Sequence, residues 1–129
     1  MAKKRTLTDV SLAKTLAVEA LGSDSGYQDA LKTPLAEATD PLYRDVITLH
    51  NSLTPRQRKV LAAFARQGFI DGVSTVLGIL DGSSQLGSHG FVDLDLTLRG
   101  RKAKLNGCLQ DSFLEAIELS ERSAGRWAT

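Results

Sequence analysis

Residues 91–99 read Phe91-Val92-Asp93-Leu94-Asp95-Leu96-Thr97-Leu98-Arg99. Val92, Leu94, Leu96 and Leu98 alternate with Asp93, Asp95, Thr97 and Arg99, the period-two pattern of a strand with one face on a core and one in water. Arg99-Gly100-Arg101 can turn that strand into a shorter second one over residues 102–106. A two-stranded hairpin is marginal by itself, so this one must lie on helices or pair with another chain. Everything upstream reads as helix or loop, so this stretch alone makes the expected class α+β.

Downstream, Leu109, Phe113, Ala116 and Ile117 share one helical face after Gly107, and Asp111, Glu115, Glu118 and Glu121 line the other. Upstream, residues 81–90 (Asp-Gly-Ser-Ser-Gln-Leu-Gly-Ser-His-Gly) form a loop. Before that loop lies a helical stretch, residues 54–80, whose apolar phase slips. At about 100° per residue, Val60, Leu61 and Phe64 centre on one direction, and Phe69, Val73, Val76, Leu77 and Leu80 on another roughly 150° away. The slip falls at Gln67-Gly68, which predicts a kink or two helices meeting there. Val73, Thr75 and Val76 leave a strand as the minority reading of the second half.

Two helix starts are explicit. Asp40-Pro41 and Thr54-Pro55 each set a capping side chain before a proline at the first helical position. From the first, Leu42, Tyr43, Val46, Ile47, His50 and Leu53 mark one face. Asn51-Ser52 closes that helix, and the short turn into the next favours an antiparallel hairpin. Another helix runs from about Asp9 to Leu21, with Leu12, Ala13, Leu16, Ala17, Ala20 and Leu21 at helical spacing and Gly22 at the end. The expected layout is a single helix-rich α+β domain of about four to five helices with one C-terminal β-hairpin before a last amphipathic helix. Residues 1–33 form an N-terminal helix and connector that can act as an arm, 34–122 the compact domain, and 123–129 a tail carrying Trp127.

Composition excludes several classes. The chain has 129 residues, 42% hydrophobic and 24% charged, which fits one globular domain rather than a disordered or collagen-like chain. Its one cysteine, Cys108, cannot close an intrachain disulfide, so a reducing, cytoplasmic setting is expected. Asp9, Lys14 and Glu19 interrupt any signal-peptide core after the basic start. The run from Phe69 to Leu80 contains Asp71 and is too short to span a bilayer.

Chemistry is sparse. His50, His89 and Cys108 lie far apart, with no metal-ligand spacing, so no metal or other cofactor is expected. Asp93-x-Asp95-x-Thr97 opens like a calcium loop, but Leu98 stands where glycine is needed and Lys104 where the bidentate glutamate belongs. No phosphate-cradling loop or nucleophile elbow occurs. The only enzymatic candidates are His89, as a proton-transfer residue, with Asp93 and Asp95 on one strand face. A non-enzymatic protein is the expectation.

Leu53-Thr54-Pro55-Arg56-Gln57-Arg58-Lys59-Val60-Leu61 resembles the opening of the LuxR-type helix-turn-helix domains of bacterial regulators. The resemblance continues through Ala65-Arg66, Gly68 and Leu77-Gly78-Ile79, about 27 residues in all. It implies helices that precede a DNA-reading helix, with Arg56, Arg58, Lys59 and Arg66 as phosphate contacts. The sequence departs from the pattern in the spacing on both sides of Gly68. It departs again at residues 81–90, where a loop with three glycines stands in place of a basic recognition helix.

The charges fall in blocks. Residues 46–70 hold four basic groups and no acid; 71–98 hold four acids and no Lys or Arg. Residues 99–104 hold four basic groups, and 105–121 four acids. The net charge of +1 is therefore a cancellation between blocks. The blocks either neutralise one another inside the domain or present signed patches that steer a partner. The expected function is a small interaction protein, most simply a bacterial or phage inhibitor, immunity-like or regulatory protein. Its expected partner is another protein, met through Asp111, Glu115, Glu118 and Glu121. The alternatives are a DNA-binding regulator with a degenerate helix-turn-helix at 53–80 and a small enzyme built on His89. An open hairpin edge also allows a homodimer by strand pairing.

Overall fold

The computed structural model describes residues 5–22 and 28–124. Among the described residues four α-helices carry the fold, α1 (Asp9–Leu21), α2 (Pro41–Ser52), α3 (Pro55–Asp81) and α4 (Leu109–Ser123), and residues 28–31 add a further helical turn. Short 3-10 turns at Leu35–Glu37 and Gly87–His89 punctuate the connections. The N-termini are built by local side chains. Asp40 Oδ1 accepts from the N–H groups of Leu42 and Tyr43 at 2.9 and 3.2 Å. Thr54 and Gln57 exchange side-chain and backbone bonds in a reciprocal cap, as Thr8 and Ser11 do at α1. Trp127 and most of the 123–129 tail lie outside the described residues, as does part of the 22–33 connector.

Three helices share the core. Ala13, Ala17 and Ala20 of α1 meet Ile70 and Leu77 of α3 and Leu109, Phe113 and Ile117 of α4. The alanine stripe lets helix axes come close, and α1 against α4 is the most intimate pairing in the molecule. Phe113 and Leu109 are fully buried; each contributes about 2–3 kcal/mol by removal from water. This corrects the expectation of an N-terminal arm, because α1 is one wall of the core.

The α+β class is corrected as well. Among the described residues there is no β-strand; the expected hairpin is reduced to one antiparallel bridge, Thr97 with Lys104. The alternation survives in part: Val92, Leu96 and Leu98 are half-buried while Asp93, Asp95, Thr97 and Arg99 are exposed, but Leu94 is exposed too. A ladder fails to extend because a side chain occupies the place of the neighbouring backbone. Asn106, itself buried, accepts from the Leu96 N–H through Oδ1 at 2.8 Å and donates through Nδ2 to the Leu94 carbonyl at 2.6 Å and to the Leu80 carbonyl. One carboxamide thus supplies the donor and the acceptor that a paired strand would offer. The strand-paired homodimer loses its basis with the hairpin.

The loop over residues 82–108 is tied down at both ends. Gly82, at φ +77°, closes α3 in the left-handed conformation. Asp81 reaches across to cap α4, accepting from the N–H groups of Gly107 at 2.6 Å and Gln110 at 2.8 Å. Gln110 in turn donates to the Ser74 carbonyl at 3.0 Å and accepts from Ser83 Oγ at 3.2 Å. These bonds fix α4 against the C-terminal third of α3.

Helix α3 also corrects the two-helix alternative. It runs unbroken through Gln67-Gly68 for 27 residues. The phase slip instead marks a change of surroundings: the second half meets the core, while the first half projects beyond it beside α2.

Candidate functional site

Helices α2 and α3 are joined by Leu53 and Thr54 but do not close on each other. Near the junction, Arg58 of α3 donates through Nε to the His50 carbonyl at 2.9 Å and through Nη2 to the Asn51 carbonyl at 3.5 Å. That satisfies carbonyls left open at the end of α2. Beyond this clasp an open cleft of about 690 Å³ separates the two helices.

One wall is the apolar face of α2: Leu42, Tyr43, Val46, Leu49 and His50. The other is the first half of α3, with Leu61, Ala62, Ala65 and Phe69. Residues 28–32 border it, contributing Leu31 and Lys32. The charged side chains of the lining are Lys32, Arg58 and Lys59, and no carboxylate stands among them. His50 Nδ1 is buried in this wall with no hydrogen-bond partner among the described residues.

The wall residues are poorly covered. Leu42 is 68% exposed and Leu49 50%, and on the neighbouring faces of α3 Val60 and Phe64 stand 63% and 77% exposed. Helix α2 is held mainly from behind: Ile47 is buried, and Arg44 donates to the carbonyls of Leu35 and Ala38 at 3.2 and 2.8 Å. A second, shallower groove of about 580 Å³ runs between α1 and the back of α3, from Leu12 and Leu16 to Val76 and Leu80, and Phe69 borders both.

Asp111, Glu115 and Glu118 are exposed on the outer side of α4, and Glu121 is half-buried. Glu118 pairs with Arg122 on its own helix. Among the described residues the basic 99–104 block makes its ion pair within the loop rather than with this stripe: Lys104 meets Asp95 across the single bridge at 3.4 Å. The charges that cancel here are neighbours along the loop.

His89, Asp93 and Asp95 are all exposed and line neither cleft. Among the described residues no group of three His, Cys, Asp or Glu side chains comes together as metal ligands. Of the four basic residues implied by the helix-turn-helix likeness, Arg58 is engaged with α2 and Arg66 is half-buried and not free, while Arg56 and Lys59 are exposed. The position of a recognition helix is taken by the loop of residues 82–108. By length and composition α3 could cross a bilayer, with mean hydropathy 1.2 over its most apolar 18 residues and 11% of that window buried.

The sequence reading found the α2 face but missed its opposite wall. The signal is the phase slip in residues 54–80, which one continuous helix carries because it serves two surfaces. No family model matches the chain, nor does any curated protein or solved structure.

Proposed function

We propose that this chain is a small interaction protein without chemistry of its own, working by binding a protein partner in the cytoplasm. A bacterial or phage inhibitor, immunity-like or regulatory role fits that description. The observation that carries this reading is the open apolar cleft between α2 and α3, with large side chains exposed on its walls and rim. An isolated exposed leucine is ordinary, but a contiguous patch of this extent is typical of binding surfaces. The acidic side of α4, through Asp111, Glu115, Glu118 and Glu121, gives a second, charge-steered contact region. Among the described residues the DNA-binding alternative finds no helix in the recognition position and, on α3, two exposed cations, Arg56 and Lys59.

The test is affinity capture from bacterial extract with three forms of the full chain: wild type, Leu49→Asp in the cleft, and Glu115→Lys with Glu118→Lys on α4. A partner retained stoichiometrically by the wild type and lost with Leu49→Asp, at unchanged circular dichroism and melting temperature, supports the reading. Loss with the α4 variant assigns that stripe to the interface. Identical capture by all three folded forms, or none by the wild type, overturns it.

A further inference from the structure

We infer that the occupant of the α2–α3 cleft is an amphipathic α-helix of another protein, its apolar face flanked by carboxylates. This rests on the proposed protein-binding role and specifies the partner's chemistry.

Shape comes first. The cleft is a trough between two helices rather than a flat patch, and its walls follow helical spacing: Leu42, Val46 and Leu49 on one side, Ala62, Ala65 and Phe69 on the other. Parallel helical ridges with small residues between them accept a third helix, whose anchors recur at i, i+3, i+4 and i+7. Ala62 and Ala65 are the low points that let its backbone approach.

Area fits a short helix. Leu42, Tyr43, Leu49 and Phe69 alone leave on the order of 450 Å² open. That is somewhat over half of the roughly 800 Å² that one partner contributes to a standard interface.

Charge then selects the occupant. The lining carries Lys32, Arg58 and Lys59 against no acid, and residues 46–70 as a whole hold four cations and no carboxylate. A second copy docking this face against its own equivalent would oppose three cations with three cations. Nor does the acidic helix of a second copy, α4, match the trough while folded, because its apolar stripe Leu109, Phe113 and Ile117 is committed to its own core and the leucines it leaves exposed, Leu114 and Leu119, do not recur at helical spacing. A foreign helix with glutamates beside its leucines meets both the apolar floor and the cationic rim.

The experiment uses the full chain and two synthetic 18-residue helical peptides with identical leucine faces, one flanked by glutamate and one by lysine. Binding is read by fluorescence anisotropy of a labelled peptide at low and physiological salt. The glutamate peptide is expected to bind about tenfold more tightly than the lysine peptide, with the gap narrowing as salt rises. Lys32→Glu with Lys59→Glu should remove or invert that preference, and Ala62→Glu should abolish binding at unchanged circular dichroism. Equal affinity for the two peptides, or no binding of either, overturns the inference. So does a concentration-dependent dimer that Ala62→Glu dissolves, or co-sedimentation with anionic phospholipid vesicles that outcompetes the peptide. If the peptides fail while Leu49→Asp still abolishes capture of a cellular partner, this inference falls and the protein-binding role stands.

Discussion

At the scale of single residues, two partly hidden polar side chains have opposite consequences. Asn106 is buried and spends its whole carboxamide on the backbone of Leu80, Leu94 and Leu96. Cutting it to alanine strands one N–H and two carbonyls, each costing about 1–3 kcal/mol if water cannot reach it. Asn106→Ala is therefore expected to lose about 3 kcal/mol in urea denaturation, a large part of a domain's stability. Asn106→Asp should rescue little of this, because a carboxylate still accepts from Leu96 but opposes the two carbonyls. His50 shows the reverse. Its Nδ1 is hidden in an apolar wall with no partner among the described residues, so the native residue already carries that penalty. His50→Leu keeps the volume and removes the unsatisfied atom, and should be neutral or stabilising by about 1 kcal/mol. A loss exceeding about 1 kcal/mol in the same urea titration would show that Nδ1 is satisfied in solution.

At the scale of elements, α3 has two glycines whose substitution should act in opposite directions. A Cβ on Gly68 meets nothing within 4 Å, and its φ is helical. Gly68→Ala is expected to raise stability by about 0.5–1 kcal/mol through lower unfolded-state entropy and better helix propensity. A Cβ on Gly78 runs into Ser84 Oγ and comes within 2.8 Å of Gln110 Nε2, where α4 is clamped on α3. Gly78→Ala should cost about 1–3 kcal/mol. Paired thermal melts check both, and a destabilising Gly68→Ala would mean the helix bends there after all. The helices were legible because their causes are local: Asp40-Pro41, Thr54-Pro55 and the spacing of Ala13, Ala17 and Ala20 each act within a few residues. The fold class was not, because what decides it is long-range. Asn106 reaches back 26 residues to Leu80, and Asp81 caps α4 from 29 residues away. No alternation pattern encodes that a remote carboxamide will take the place of a strand. The cleft was half legible for the same reason: an amphipathic face is written in α2, but the lack of closure against α3 is a property of the assembled helices.

At the scale of the whole molecule, stability is unevenly distributed. Helices α1 and α4 and the second half of α3 share one core cluster, in which Ile70, Leu77, Leu109 and Phe113 are nearly or fully buried. Helix α2 lies outside that cluster and depends on Ile47, on the two bonds from Arg44, and on the Arg58 clasp. Opening α2 therefore uncovers little of the core, and should require at least about 2 kcal/mol less than global unfolding. Hydrogen exchange followed by mass spectrometry reads this directly. Amides in residues 109–123 and 70–80 should exchange only through global unfolding, with strong denaturant dependence, whereas those in 41–52 should exchange sooner and with a weaker dependence. Adding the glutamate-flanked peptide should slow exchange in 41–52 and 55–69 selectively, because a helix seated in the trough gives α2 the packing partner that α3 does not supply. Uniform protection of all four helices without peptide would show that the cleft is closed by the chain itself, and would remove the physical basis for an occupant.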